Sequence, residues 1–234
     1  MLSKPIPPWI LMGGTGLAMI AGGVNAIGLL GVHPRAFSHL TGNITITAAE
    51  IARGDWPQVL HIALIVLFFF LGCVASGLII HDSSLKAGRR YGAALLAEAA
   101  LLFAATYFMR HGATGGDYLV TMACGLQNAM ASSYSGAVVR TTHMTGIVTD
   151  IGLAIGVAAR GHPVDRRRLG LYATLLVGFF LGGLSGGWIY LRLGPDALLI
   201  PASLTAIGGL SYTLVKHHQR RRAHSLNASP TARH

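Results

Sequence analysis

Residues 57–80 read PQVLHIALIVLFFFLGCVASGLII, a run without a single Asp, Glu, Lys or Arg. A bilayer core of roughly 30 Å takes about 20 helical residues, so this run is long enough to cross it. The rest of the 234-residue chain agrees, with 52% hydrophobic and 11% charged residues and a mean hydropathy of +0.55. Soluble domains carry about 25% charge. The apolar excess calls for lipid as the main partner, and no stretch reads as a separate soluble domain.

Working outward from this run, hydropathy divides the chain into eight segments: 8–31, 36–53, 57–80, 91–109, 118–135, 139–159, 169–191 and 197–215. They form two sets of four. Gly22-Gly23-Val24-Asn25-Ala26 aligns with Gly125-Leu126-Gln127-Asn128-Ala129, and His39-Leu40-Thr41-Gly42 with His143-Met144-Thr145-Gly146. Further on, Phe69-Phe70-Leu71-Gly72 aligns with Phe179-Phe180-Leu181-Gly182, and Ala94-Leu95-Leu96 with Ala197-Leu198-Leu199. The matches are collinear, at offsets between 103 and 110, which marks a duplicated unit of about a hundred residues. The first copy is assigned to residues 1–110 and the second to 111–216. A basic tail, 217–234, is expected to be disordered because it has little apolar surface to bury.

Net charge is +10, yet Lys and Arg cluster between and after the apolar runs, which is a topology signal rather than a nucleic-acid surface. Lys86, Arg89 and Arg90, then Arg160, Arg166, Arg167 and Arg168, then the tail mark three cytoplasmic regions. If every segment crossed, three crossings would separate two inside loops, which is impossible. The second and sixth segments are therefore expected to enter and return as broken polar segments. Six full spans then remain, both termini are cytoplasmic, and the two copies form a 3+3 inverted repeat, a plan common among secondary transporters. The expected fold is thus an all-α membrane protein of six transmembrane helices and two broken segments, with its first helix retained rather than cleaved.

The second segment carries Ser38, His39, Thr41, Asn43, Thr45 and Thr47 around Gly42; the sixth carries Arg140, Thr141, Thr142, His143, Thr145, Thr149 and Asp150 around Gly146. Segments this polar must line protein or water. Non-helical backbone is expected at Thr41-Gly42 and Thr145-Gly146, with the two breaks close together, aiming helix N-termini at a small anionic or polar solute. The expected solute-binding residues are His39, Thr41, Gly42, Asn43, Arg140, Thr142, His143, Thr145, Gly146 and Thr149. Arg140 would supply a fixed positive charge, or else snorkel to lipid phosphate; Thr141 is expected to point elsewhere. The two histidines either titrate and gate or simply bond neighbouring backbone. Glu98 and Asp150, acids within apolar surroundings, are coupling candidates. Glu98 corresponds to Pro201 in the other copy, so its role is asymmetric. Asn25 and Asn128, at matched places, read as scaffold side chains that hold the polar segments.

Gly22 to Ala26 with Leu40-Thr41-Gly42-Asn43, and Gly125 to Ala129 with Thr142 to Gly146, resemble the YoaK-like family of bacterial integral membrane proteins, which has no assigned function. The resemblance covers nearly the whole chain up to the tail and implies the bacterial inner (cytoplasmic) membrane. Where that family commonly carries an acid, this chain has Asn25. A fainter similarity links Arg140-Thr141 with Gly146 and Thr149 to the polar broken segment of sulphate-permease-type anion transporters.

A small secondary transporter is the leading functional reading, and a homodimer is compatible with it. A channel and a non-transporting structural membrane protein remain alternatives. An enzyme is not expected, since no Ser-His-Asp order, HExxH or paired-acid motif is present. Cys73 and Cys124 lie inside apolar runs without ligand spacing and read as packing residues, so neither metal nor cofactor is expected.

Overall fold

The computed structural model describes residues 8–32, 34–80, 90–135 and 140–227, and these are all-helical, without a strand. The helices are α1 (Pro8–Leu30), α2 (Leu40–Arg53), α3 (Trp56–Ile79), α4 (Arg90–Arg110), α5 (Gly115–Ser135), α6 (Met144–Ala159), α7 (Arg166–Leu193) and α8 (Leu199–Asn227). A 3-10 turn, Gly194–Leu198, joins the last two. Four stretches are long and apolar enough to cross a membrane: Leu11–Leu30, Trp56–Ile79, Arg90–Arg110 and Arg166–Gln219, the last holding both α7 and most of α8. Large apolar side chains such as Leu78, Phe180 and Leu191 face outward along these helices, as lipid contact requires.

Two interfaces dominate the packing, α1 on α7 and α3 on α5. A Cβ added at Gly22 would overlap the Phe179 carbonyl, and one added at Gly182 would overlap the Met19 carbonyl. A Cβ at Gly125 would overlap the Phe69 carbonyl, and one at Gly72 the Met122 carbonyl. These are the same two contacts made twice, since Gly22 aligns with Gly125, Gly72 with Gly182, and Phe69 with Phe179. The repeated motifs therefore meet each other across the two halves, with glycine letting backbones touch where lipid supplies no hydrophobic drive for helices to associate.

Contacts also fix helix directions. Residues 61, 69 and 73 of α3 meet 118 and 125 of α5 in parallel order, and residues 15, 19 and 23 of α1 meet 178, 182 and 186 of α7 likewise. Helix α4 is antiparallel to α5, with Met109 against Gly116 and Glu98 bonded to Gln127. It is also antiparallel to α8, with Gly92 against Gly209 and Thr213 while Arg110 pairs with Asp196. One cavity joins the ends of α1, α4 and α7, at Gly28, Met109 and Tyr190, to the start of α5 at Asp117 and the turn before α8 at Pro195, so α1, α4 and α7 run one way and α3, α5 and α8 the other.

Three expectations are corrected. The polar segments are not broken at Thr41-Gly42 or Thr145-Gly146: α2 and α6 are continuous from Leu40 and Met144, and the non-helical backbone lies just before them. Their threonines do not interrupt the ladder because Thr45 and Thr149 return their hydroxyls to the Thr41 and Thr145 carbonyls at 2.9 Å. Second, α2 and α6 do not touch; α2 packs on α3 and α6 on α7. Third, α8 continues to Asn227, so residues 217–227, expected as disordered tail, are helical; no Pro or Gly stops the helix there. The segment with Lys86 and Arg89 lies outside the described residues.

Candidate functional site

Helices α2 and α6, with 14 and 16 residues, span only about 21 and 24 Å at 1.5 Å per residue. Each starts inside the bundle. Leu40 packs against the core cluster of Val24 and Phe69, midway along α3, and Met144 against that of Ala18 and Leu175, near the middle of α7. Helix α2 then turns at Gly54 (φ 77°) and Asp55, whose carboxylate accepts from the Gln58 N–H at 3.2 Å, into the antiparallel α3. Asp165 caps α7 from the Arg167 and Arg168 N–H groups in the same manner.

Matched asparagines hold both starts. Asn25 of α1 donates to the Ser38 hydroxyl at 2.8 Å and accepts from the Ser38 N–H at 3.0 Å. Asn128 of α5 accepts from the Thr142 hydroxyl at 3.1 Å. Ser38 was not singled out in advance as a partner, although it aligns with Thr142.

The residue before each helix is a histidine whose side chain makes no cap hydrogen bond. Instead its ring folds back over the first turn. A Cβ at Gly42 would collide with the His39 ring, and one at Gly146 with the His143 ring. Glycine in the repeated His-x-Thr-Gly motif thus makes room for an imidazole rather than breaking the helix. His39, Thr41, Arg140, His143, Thr145 and Thr149 are exposed, Thr142 is half-buried, and Asn43 is buried with its Nδ2 unpartnered. Two helix N-termini without side-chain caps, each fixed to a different central helix, carry a partial positive charge that favours an anion or a polar acceptor.

A second polar group lies in the core. Glu98, 2% exposed, accepts at Oε1 from Gln127 Nε2 at 2.9 Å, and Gln127 Oε1 accepts from the Thr141 hydroxyl at 3.4 Å. Thr141, expected to point away, is fully buried here. Its burial follows from the turn before α6, which tucks Thr141 and Thr142 against adjacent residues of α5. Gln127 escaped notice because an amide among apolar residues has no motif of its own. Asp150 is not in this group: it lies 3.6 Å from Arg168, which donates to the Tyr172 hydroxyl at 2.7 Å. Among the described residues no cluster of three or more metal-binding side chains occurs.

The long apolar helices and the buried polar contacts between them define a helical protein of membrane type. A family model described as a protein of unknown function, DUF1275, matches residues 14–211, and the chain belongs to that family, in keeping with its YoaK-like motifs. No curated protein and no solved structure matches the chain.

Proposed function

We propose that the protein is a small secondary transporter of a small anionic or polar solute, in the cytoplasmic membrane of a bacterium. One observation carries this reading: two short helices begin against the core at matched positions, without side-chain caps, and we read the halves that hold them as inverted copies, in line with the antiparallel α4 and α8. Such an arrangement is what an inverted repeat with discontinuous segments would produce. Six helices then cross, α2 and α6 enter from opposite faces, and both termini lie on the side of Arg90, Arg160 and Arg166–Arg168, the cytoplasmic side by charge. The solute would sit before the first turns of α2 and α6, on the central α1–α5 pair. Exposed Thr41, Thr145 and first-turn amides supply neutral hydrogen bonds, and Arg140 supplies charge if the solute is an anion.

The test is flux in proteoliposomes for chloride, nitrate, sulfate and glycine, with exchange stimulation as the mark of a carrier. Arg140→Gln should weaken anion transport more than glycine transport, because charge-assisted hydrogen bonds are roughly twice as strong as neutral ones. Flux without saturation or exchange would indicate a channel instead. Absence of flux for the whole panel, with a normal melting temperature, would refute the reading.

A further inference from the structure

Glu98 has two oxygens in unlike surroundings. Oε1 is held by Gln127, whereas Oε2 is buried and has no hydrogen-bond partner among the described residues. The antiparallel register of α4 and α8 brings Thr205, also buried with an unpartnered hydroxyl, to about the same height. An orphaned carboxyl oxygen in a lipid-surrounded bundle is expensive and marks a functional acid unless something else satisfies it.

The repeat-related position in the molecule shows that the fold does not need this group. By the repeat alignment, Gln127 corresponds to Val24, Thr141 to Phe37, and Glu98 to Pro201, beside Ala202. Val24, Phe37 and Ala202 lie together in one buried apolar cluster. Hydrocarbon therefore lies at one of the two repeat-related positions and a hydrogen-bonded acid at the other. A polar group retained where an apolar one packs is there for something other than packing.

We infer that Glu98 is a proton-binding site and that its proton couples the transport cycle. This rests on the transporter reading for the coupling, but not for the proton. A metal cation fits poorly, because it needs several oxygen ligands and the group against Oε1 is an N–H donor. Among the described residues, the groups facing it offer no countercharge. From α5, Cys124 lies within Coulombic reach of Glu98; Cys73 of α3 donates to the Gly125 carbonyl. Tyr91 and Tyr212 pair near the start of α4, and Arg110 meets Asp196 at its end. His61, Asp117 and Tyr118 lie together at the start of α5, toward that same end. With no cation alongside among the described residues, the neutral acid is the resting form, its O–H on Oε2. In each cycle that O–H bond breaks, the proton passes to water on the side to which the site opens, and the carboxylate regains one from water on the other side.

Two readouts test this. Infrared spectra of the reconstituted protein at neutral pH should show the carbonyl stretch of a protonated carboxyl, shifted by deuterium exchange and missing in Glu98→Gln. Gln127→Val, which copies the matched Val24, should move that band without removing it. For whichever of chloride, nitrate, sulfate or glycine is transported fastest, a one-unit pH gradient should drive about tenfold accumulation at one proton per solute, and Glu98→Gln should abolish it. No such band, or a band that survives Glu98→Gln, overturns the proton site. A band as expected with accumulation indifferent to the gradient overturns the coupling. No flux in any case sinks the transporter reading and the coupling with it, while the band still decides whether Glu98 holds the proton.

Discussion

Replacing Gly72 or Gly182 by Ala tests whether the two main interfaces are one interface formed twice. At both sites the new Cβ would overlap a backbone carbonyl, Met122 for Gly72 and Met19 for Gly182. No rotamer change can relieve a clash with backbone, so the helices must part. Overpacking of this kind costs typically 1–3 kcal/mol. Ala gains up to about 1 kcal/mol of helix propensity over Gly. With that gain taken in full, the net loss should be up to about 2 kcal/mol at each site, or as much as roughly 8 °C in melting temperature for a chain of this size. Gly77 and Gly208, on α3 and α8, have nothing within 4 Å of an added Cβ. There the propensity term acts alone, so Gly77→Ala and Gly208→Ala should be neutral or raise the melting temperature. Thermal unfolding of the four variants in one detergent reads the difference. Equal behaviour of interface and open-space glycines would refute the packing, and a loss at Gly182 without one at Gly72 would refute the equivalence of the two halves.

Asn25→Ala removes both bonds to Ser38 and leaves its N–H and hydroxyl unpaired, so it should destabilise by about 1–3 kcal/mol, whereas Asn128→Ala removes one bond to Thr142 and should cost less in the same melting assay. Gly42→Ala and Gly146→Ala should each displace a histidine ring from the start of its helix and lower solute flux while changing the melting temperature little; unchanged flux would detach the rings from the site. Cysteines at Ala113 and Pro195 should be labelled from outside the cell and one at Arg167 only from within, and the opposite pattern would end the topology. Asp150→Asn breaks an ion pair whose side chains are 45–52% exposed, so it should cost no more than about 1 kcal/mol and leave flux unaltered.

Apolar runs of spanning length, the collinear repeat and the placement of Lys and Arg were legible in the sequence because each depends on chain-local chemistry: transfer of side chains to lipid, register along one strand of text, and loop charge. The limits of seven helices fall within five residues of the hydropathy segments for the same reason, whereas α8 runs on to Asn227, past the expected 215. The site could be narrowed to α2 and α6, whose Thr and His content is too polar for lipid. Local reading went wrong on why glycine sits there: Gly42 and Gly146 suggested broken backbone, and only the folded chain shows an imidazole occupying the space that a side chain would take. Where Thr141 goes instead was beyond local reading, because its burial against Gln127 depends on a turn folding back against α5. Helix pairing was beyond the sequence altogether. Phe69 to Gly72 and Gly22 to Asn25 are visible as repeated words, but that each word packs against the other half's copy of its partner is decided by backbone approach between residues 50 to 163 positions apart. Glu98, Gln127 and Thr141 meet for that reason too: they come from α4, α5 and the turn before α6, and only tertiary packing converts three scattered polar residues into one buried group.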